Sequence, residues 1–400
     1  MIPVNRPVLD KRDFVAFIKG HFKESISTLE NVFSHYIGMK YALFTSSCRS
    51  ALHLTYKALK LDGEVIVQPL TCSIAILPII CSGLKPHFVD IDPDTYNLDP
   101  GKISECVTSN TCAIQVIHLA GNPCDMKAIK EIAEDHNLIL IEDCAQSLGA
   151  EYSGEKVGSF GDVSCFSFMK NVYGIGGGMI LTNNKDIILR AKSIQQNFNE
   201  FPPLLRYYRL MRSIAEKKMD SFLGNILYKL LLWTRDKMVL DEVENCKFLE
   251  YNLYNPTNVE SAIVLSQIEK LDDLLQKRIK NAYLLSRELR GKGIKIQVIT
   301  KNSKHVFTKY MVETKNDCIS VIRKLQEKGI DAKHLVYKHG LAYQKRFDID
   351  PYYNRFKSIK NCKNYLKIHD YVVSLPISSN MTEKEISIIA NRVGAIIENV

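Results

Sequence analysis

No stretch of the 400-residue sequence is long and apolar enough to cross a bilayer, and the first fourteen residues contain no apolar core of signal-peptide length. Internal repeats and low-complexity tracts are also missing. These absences argue against a membrane-embedded or fibrous protein. We therefore expect a cytoplasmic globular protein, and a chain with 46% hydrophobic and 24% charged residues is long enough for two domains.

The eleven cysteines include no Cys-x-x-Cys pair, which argues against a zinc site and against a disulfide framework. We expect most of them to be small buried side chains in a reducing compartment, and we expect no metal. The formal net charge is +9, but the Lys and Arg residues are spread along the chain instead of forming one basic arm. Nucleic acid is therefore not an expected partner.

Short β-branched runs alternate with helical stretches from about residue 42 to 183, which is typical of a largely parallel sheet wrapped by helices. This pattern predicts one large α/β domain over residues 1–245. Helices are expected at Ser50–Leu59 and Asp125–Asp135. The expected strands are Tyr41–Thr45, Glu64–Gln68, Pro86–Asp90, Ala113–Leu119, Leu138–Glu142, Val163–Phe168 and Met179–Thr182.

Residues 246–400 predict a smaller α+β domain. Apolar residues recur at helical spacing over residues 260–290 and predict one long amphipathic helix that leads into this domain. The elements expected after it are strands at Lys295–Thr300 and His305–Val312, a helix at Asp317–Lys328, and a final helix that follows the capping box of Thr382 and Glu385.

Residues 201–245 lack strand alternation and predict a helical insertion. Between Arg206 and Lys237 there are eight Lys or Arg residues against three Asp or Glu residues, a surplus of five positive charges. A basic amphipathic insertion of this kind indicates contact with a membrane surface. A dimer contact or a lid element is the alternative interpretation.

Three segments carry residues that could take part in catalysis or in ligand binding. Asp143 ends an apolar strand, at the sheet edge where ligands bind in open α/β folds, although a helix N-cap is the alternative role. Lys170 follows the next strand, and a lysine held near apolar groups is a candidate for Schiff-base chemistry as well as a plain surface residue. The turn Thr45–Ser50 leads from a strand into a helix and is a ready phosphate site, to which Arg49 would add a contact.

Together these three features match the needs of a pyridoxal phosphate (PLP) enzyme, because an aspartate keeps the pyridine nitrogen protonated and a lysine holds the aldehyde. The run Gly174–Gly178 resembles a dinucleotide fingerprint only superficially. It precedes a strand instead of opening a helix, so we exclude NAD.

In their residues and in their order along the chain, these segments resemble those of the sugar aminotransferases of the DegT/DnrJ type. The resemblance covers nearly the whole chain and implies a fold-type I PLP-dependent transferase, with a large, mostly parallel-sheet domain and a smaller C-terminal α+β domain. The matching segments are Ile2–Pro7, Ser46–Leu52, Glu64–Thr71, Phe88–Asp99, Val116–Gly121, Ile141–Gly149, Gly158–Asp162, Gln267–Asp272 and Leu375–Pro376.

The resemblance implies pyridoxal 5'-phosphate as the cofactor, with Lys170 attached to it and Asp143 paired with its ring nitrogen. Further contacts to the cofactor are implied for Cys48, Arg49, Ser50, Cys72, Gln146 and Ser167, and for Asn252 or Asn255 of a neighbouring subunit. Contacts to the substrate are implied for His334, Tyr337 and His339, a segment that domain packing would also explain.

The sequence departs from the family pattern next to the lysine and in the phosphate turn. Only Phe168 and Met169 separate Ser167 from Lys170, where the family typically has four residues, so Ser164 is the alternative phosphate serine. Cys48 and Arg49 replace a Gly-Thr pair. Members that dehydrate their substrate carry histidine in place of the lysine, so Lys170 indicates amino transfer.

The implied reaction moves an amino group, with glutamate as the donor, onto a 4-keto or 3-keto deoxyhexose linked to a nucleotide. The expected setting is surface glycan or lipopolysaccharide sugar biosynthesis, and the expected assembly is a homodimer. Two alternatives stay open at this point: a non-catalytic partner or regulatory protein with the same fold, and a PLP enzyme that acts on another substrate such as an amino acid.

Overall fold

The computed structural model describes residues 2–3, 6–217, 226, 230, 253–315, 317–334 and 357–398. The helices are α1 (Lys11–Lys19), α2 (Ile26–Ile37), α3 (Cys48–Leu59), α4 (Ser73–Cys81), α5 (Pro100–Cys106), α6 (Met126–Asp135), α7 (Lys185–Gln195), α8 (Pro203–Lys217), α9 (Asn258–Ile268), α10 (Leu271–Arg290), α11 (Cys318–Glu327), α12 (Lys363–Ile368) and α13 (Glu383–Glu398). Short 3₁₀ turns cover Leu119–Gly121 and Lys357–Asn361.

A central sheet of seven strands forms the large part of the molecule. Its strands are β1 (Tyr41–Thr45), β2 (Glu64–Val67), β3 (Lys85–Phe88), β4 (Thr111–Ile117), β5 (Ile139–Asp143), β8 (Val163–Ser167) and β9 (Gly178–Thr182). Their order across the sheet is β1-β9-β8-β5-β4-β2-β3. Strand β9 runs antiparallel to both of its neighbours, while β3, β2, β4, β5 and β8 pair in parallel. The predicted mostly parallel α/β sheet is confirmed, and all seven predicted strands lie within two residues of the observed ones.

Helices cover both faces of this sheet, because alternate side chains of its strands enter different cores. In β2, Val65 and Val67 join the core that α3, α4 and α7 cover, whereas Ile66 joins the core of α2 and α6. Both faces of the central strands are therefore buried, and the ends of the strands remain as the place for polar chemistry.

The C-terminal part contains a three-stranded antiparallel sheet in the order β11 (Tyr310–Glu313), β13 (Val372–Leu375), β12 (Lys333–His334). Helices α10, α11 and α13 pack a separate apolar core against it. A second small sheet joins β10 (Ser303–Lys304), β6 (Glu151–Tyr152) and β7 (Glu155–Lys156). The predicted α+β character is confirmed, but the boundary between residues 245 and 246 lies outside the described residues and stays a prediction.

The long helix predicted over residues 260–290 is wrong in one respect, since the structure divides it into α9 and α10 at Glu269 and Lys270. The Lys270 ammonium enters the protein and lies 2.6 Å from the Asp13 carboxylate, which also accepts a 2.9 Å hydrogen bond from Ser266. This buried ion pair holds the break in place. The apolar spacing continues on both sides of the break, so the sequence pattern did not reveal it.

Two predicted strands are also corrected. The run Lys295–Thr300 forms no strand, and only Ile296 makes an isolated bridge to Val312. The strand expected over His305–Val312 begins only at Tyr310, because Phe307 adopts a φ of 48°, which is incompatible with a continuous strand. The helix predicted at Asp317–Lys328 is confirmed as α11.

Helix α13 starts where the capping box predicts it. The Glu385 N–H donates to Thr382 Oγ1 over 3.2 Å, and the Thr382 N–H donates to the Glu385 carboxylate over 2.9 Å. None of the helices in the described ranges combines the length and the apolar character that a membrane span needs.

Helix α8 lies in the basic insertion, and two of its arginines turn towards the protein. Arg206 lies 3.2 Å from the Glu260 carboxylate, and Arg209 donates to the carbonyl oxygen of Ile175 over 3.3 Å. The outward side of the helix instead carries apolar side chains such as Leu204, which is 83% exposed. The predicted membrane contact of the insertion stays a prediction, and these two arginines would contribute little charge to it.

Candidate active site

The predicted catalytic residues meet at one edge of the central sheet, the edge formed by the carboxyl ends of the parallel strands. Asp143 is the last residue of β5 and pairs in register with Ile117 of β4 and Cys165 of β8. Lys170 lies in the turn three residues after β8, close enough for its charge to act on Asp143. The sheet thus brings the aspartate and the lysine together, as the sequence predicted.

The Asp143 carboxylate is buried, and only 4% of this residue is exposed. Its Oδ1 accepts a 3.0 Å hydrogen bond from the Ala145 N–H, and the Cys48 thiol lies 4.0 Å away. Burial raises the pKa of Asp143, while the positive charge of Lys170 and the Ala145 N–H oppose that rise. Among the described residues no cationic side chain is at ion-pair distance from it.

A buried carboxylate with no ion-pair partner among the described residues suits a ligand with a protonated ring nitrogen, because the ligand would supply the missing charge. Burial, followed by the negative charge of Asp143, raises the pKa of the Cys48 thiol well above its usual value. The thiol is therefore protonated and does not compete with the carboxylate for a cation. On this observation the site fits the pyridinium ring of PLP.

The predicted phosphate turn is the start of α3. The Ser47 side chain caps the helix by accepting a 3.1 Å hydrogen bond from the Ser50 N–H. The N–H groups of Cys48 and Arg49 belong to the first helical turn, where a helix offers no acceptor of its own. They lie at the positive end of the helix dipole, which suits a phosphate group.

The glycine run before β9 has a structural reason that the sequence did not reveal. The Gly177 N–H donates to the carbonyl oxygen of Ser46 over 2.9 Å, so the run packs directly on the phosphate turn. A Cβ atom at Gly178 would lie 2.5 Å from the backbone nitrogen of Cys48. Glycine is required here because two backbones approach each other closely, and not for binding a dinucleotide.

A network that sequence reasoning missed surrounds the residue after the lysine. Asn171 Oδ1 accepts hydrogen bonds from Arg278 over 2.7 Å and from the Thr308 hydroxyl over 2.5 Å. The Thr308 hydroxyl also contacts the Gln146 carbonyl oxygen, and the Gln146 side chain accepts a 3.0 Å hydrogen bond from the Ala120 N–H. The protein thus holds the side-chain oxygen of Gln146 in the loop after Asp143, and its predicted contact with the cofactor stays a prediction.

The position of Ser167 favours it over Ser164 as the phosphate serine. Ser167 ends β8 at the edge of the site, and its hydroxyl is 3.4 Å from the Met169 N–H. Ser164 lies inside the strand and is fully buried. Cys72 directly precedes α4 and is half-buried, beside a lysine that the sequence analysis did not single out, Lys309.

The remaining predicted residues do not meet in the described part of the site. His334 Nε2 is 3.1 Å from the His369 carbonyl oxygen, and the two rings are in contact. The Asn255 side chain donates to the Phe198 carbonyl oxygen over 2.8 Å within its own chain. The other three, Asn252, Tyr337 and His339, lie outside the described residues and stay predictions.

One cluster behind the site has the composition of a metal site: His118, Glu142 and Cys144 place one potential ligand atom each within 4.8 Å of the others. Protein groups already use these atoms. His118 Nδ1 accepts from the Cys124 N–H over 3.0 Å, so its Nε2 donates to Glu142 over 3.2 Å. Burial raises the pKa of the Cys144 thiol to about 12, which disfavours the thiolate that a metal would need.

The fold and the site define a PLP-dependent transferase of fold type I. A sequence profile of the DegT/DnrJ/EryC1/StrS aminotransferase family matches residues 17–394, and the chain belongs to this family.

Two sequence relatives and one solved structure illustrate the match. The dTDP-3-amino-3,6-dideoxy-alpha-D-galactopyranose transaminase of Aneurinibacillus thermoaerophilus is 30% identical over 374 residues, which cover 90% of this chain and 87% of the relative. The GDP-perosamine synthase of Caulobacter vibrioides is 33% identical over 313 residues, 77% of this chain and 73% of the relative. The sugar aminotransferase structure Spr1654 of Streptococcus pneumoniae has a TM-score of 0.79 at 18% identity, over 100% of this chain and 99% of that one, and supports the fold.

Replacing Gly178 with alanine should destabilise the phosphate turn by about 1–3 kcal/mol, because the new methyl group meets backbone atoms that cannot rotate away. Urea unfolding measures the change. Gly291→Ala is the matched control, since its nearest neighbour would be an ordinary 3.5 Å contact, and it should be neutral or slightly stabilising. Equal effects of the two substitutions would contradict the close approach.

Replacing Asp143 with asparagine should stabilise the cofactor-free protein by about 1 kcal/mol and weaken cofactor retention. Asparagine keeps the acceptor for the Ala145 N–H but removes the buried charge. Because the pKa of Asp143 is raised in the folded protein, the ionised carboxylate costs stability above the ordinary aspartate pKa. The gain in thermal stability should therefore be present at pH 8 and shrink as the pH falls towards that value. A variant less stable than wild type at pH 8 would disprove this account.

Proposed function

We propose that this protein transfers an amino group from glutamate to the keto carbon of a nucleotide-linked 4-keto or 3-keto deoxyhexose, in surface glycan or lipopolysaccharide sugar biosynthesis. The observation that carries the proposal is the buried Asp143 with Lys170 beside it, at the sheet edge next to a phosphate-binding helix start. The two sequence relatives, a transaminase of a dTDP-linked sugar and a synthase of a GDP-linked amino sugar, support the substrate class.

When bound, pyridoxal 5'-phosphate carries the amino group between the two substrates and withdraws electrons from the carbon that exchanges a proton. In this proposal Asp143 keeps the ring nitrogen protonated, and the N–H groups at the start of α3 hold the phosphate together with Arg49, Ser50 and Ser167. Lys170 would hold the cofactor covalently. When the donor takes its place, the free amine of Lys170 would accept the proton from the donor carbon and deliver it to the cofactor carbon.

A lysine at position 170 favours amino transfer over dehydration. A histidine can move a proton, but it cannot form the covalent link to an aldehyde that a primary amine forms. Since Lys170 offers a primary amine beside the Asp143 carboxylate, one side chain serves both purposes.

We further propose that the protein is a homodimer, with an asparagine of one protomer reaching the phosphate turn of its partner. Asn255 already donates one amide hydrogen to Phe198, which makes Asn252 the better candidate. Light scattering on the purified protein should then give twice the mass of the 45.6 kDa chain. A monomer that nevertheless retains the cofactor would overturn this arrangement.

Lys170→Ala should lose transamination by a factor of about 10³ or more, because the variant lacks both the covalent anchor and the proton carrier. Borohydride treatment of the protein with added pyridoxal 5'-phosphate, followed by peptide mass spectrometry, should find the pyridoxyl group on Lys170 in the wild type and nowhere in the variant. The exposed Lys301→Ala is the control and should behave as wild type.

Turnover is then assayed with glutamate and a panel of UDP-, dTDP- and GDP-linked keto sugars. Absence of a trapped cofactor in the wild type would favour the non-catalytic alternative. A trapped cofactor that turns over amino acids and no keto sugar would favour a different PLP substrate.

A further inference from the structure

A short segment of the C-terminal part reaches across to the active site. This crossing segment, His305–Lys309, is fastened to the large sheet domain by backbone hydrogen bonds: the Val306 N–H donates to Gly121 over 3.1 Å, and the Lys309 N–H donates to Ala120 over 3.4 Å. Its Thr308 hydroxyl donates to the side chain of Asn171, the neighbour of the cofactor lysine. The backbone of Lys309 is therefore fixed at the edge of the site.

The backbone of the crossing segment contains a strained residue. Phe307 has a φ of 48° and Ala120, opposite it, has a φ of 60°, and residues with a side chain rarely adopt such values. The Phe307 ring compensates by stacking on His305 with a centroid distance of 3.9 Å and on Tyr310 with 6.0 Å. Both residues that flank Lys309, Thr308 and Tyr310, are thus anchored by side-chain contacts, which fixes the backbone from which the Lys309 side chain extends.

The Lys309 ammonium lies among groups from three other elements. The charged or titratable groups that act on it are Lys170 after β8, Cys72 before α4 and Lys333 in β12. Burial, followed by the positive charge of Lys170, lowers the pKa of Lys309 to about 8. An anion that binds next to the Lys309 ammonium would favour the charged form that burial disfavours.

We propose that Lys309 binds the α-carboxylate of the amino donor, an inference that rests on the transamination proposed above. The α-carboxylate is attached to the carbon that loses its amino group beside Lys170, so it must lie next to the cofactor lysine. The diphosphate of a nucleotide sugar is separated from the reacting keto carbon by atoms of the sugar ring. A cation close to Lys170 is therefore better placed for the carboxylate than for the diphosphate. Lys309 is a specificity residue in this scheme and moves no proton.

The test uses the holoenzyme and follows the two half-reactions separately by the absorbance of the bound cofactor. Lys309→Met should weaken apparent binding of glutamate about 10- to 100-fold, the value of one charge-assisted hydrogen bond, and leave the half-reaction with the keto sugar unchanged. Lys309→Arg should keep most of the affinity because it keeps the charge. The exposed Lys301→Met is the control for lost surface charge and should match wild type.

Isoglutamine, in which an amide replaces the α-carboxylate, distinguishes recognition from a general structural effect. The wild type should bind it far more weakly than glutamate, whereas Lys309→Met should bind the two about equally. Borohydride trapping on Lys170 in the variant verifies that the cofactor site is intact.

The binding of glutamate by the wild type should also weaken as the pH rises through about 8, where Lys309 loses its proton, and this dependence should be missing in Lys309→Met. If Lys309→Met impaired only the half-reaction with the keto sugar, Lys309 would be assigned to the diphosphate and the proposal would be overturned. Equal impairment of both half-reactions, or of neither, would overturn it as well. A wild type that holds the cofactor but reacts with no amino donor would instead overturn the proposed function itself.

Discussion

The buried carboxylate of Glu142 holds the edge on which the active site is built. It accepts hydrogen bonds from the backbone N–H groups of Gly158, Phe160 and Gly161 at 2.8, 2.8 and 2.7 Å, and a fourth from His118 at 3.2 Å. These bonds tie the end of β5 to the end of β4 and to the loop before β8. A carboxylate that accepts four hydrogen bonds is buried at a much lower cost than an unpaired one, whereas the Asp143 carboxylate, the next residue along the strand, accepts only one from a backbone N–H.

Local sequence patterns predicted the fold well because the strands are buried on both faces and therefore read as short apolar runs. The run that ends at Asp143 and the one that precedes Lys170 are of this kind, so both predicted catalytic residues could be placed at strand ends. The break between α9 and α10 was not predictable from spacing, since it depends on Lys270 meeting Asp13, a contact between residues far apart in the sequence. Likewise, the strand predicted over His305–Val312 is interrupted at Phe307, whose ring stacks on His305, a contact that only the folded chain provides.

The residues of the candidate site likewise fall into those with a local sequence signal and those placed only by long-range contacts. The capped helix start at Ser47 and the strand-end Asp143 carry local signals that can be recognised in the sequence. Asn171, Arg278 and Thr308 carry none, because an asparagine, an arginine and a threonine acquire their roles only when three segments meet. Arg278 shows the point most clearly: it lies on the amphipathic α10, where an arginine is usually solvated, yet only 5% of it is exposed.

Packing positions the two-residue connection between Ser167 and Lys170. Phe168 is fully buried, and its ring lies 5.1 Å from that of Phe33. Its backbone N–H donates to Gly177 over 3.1 Å, and its carbonyl oxygen accepts from Gly174 over 2.8 Å, so the chain turns back at once into the antiparallel β9. One aromatic side chain and two hydrogen bonds therefore position the turn before Lys170. These contacts hold the backbone before Lys170 in one position, which the proposed role of this lysine would require.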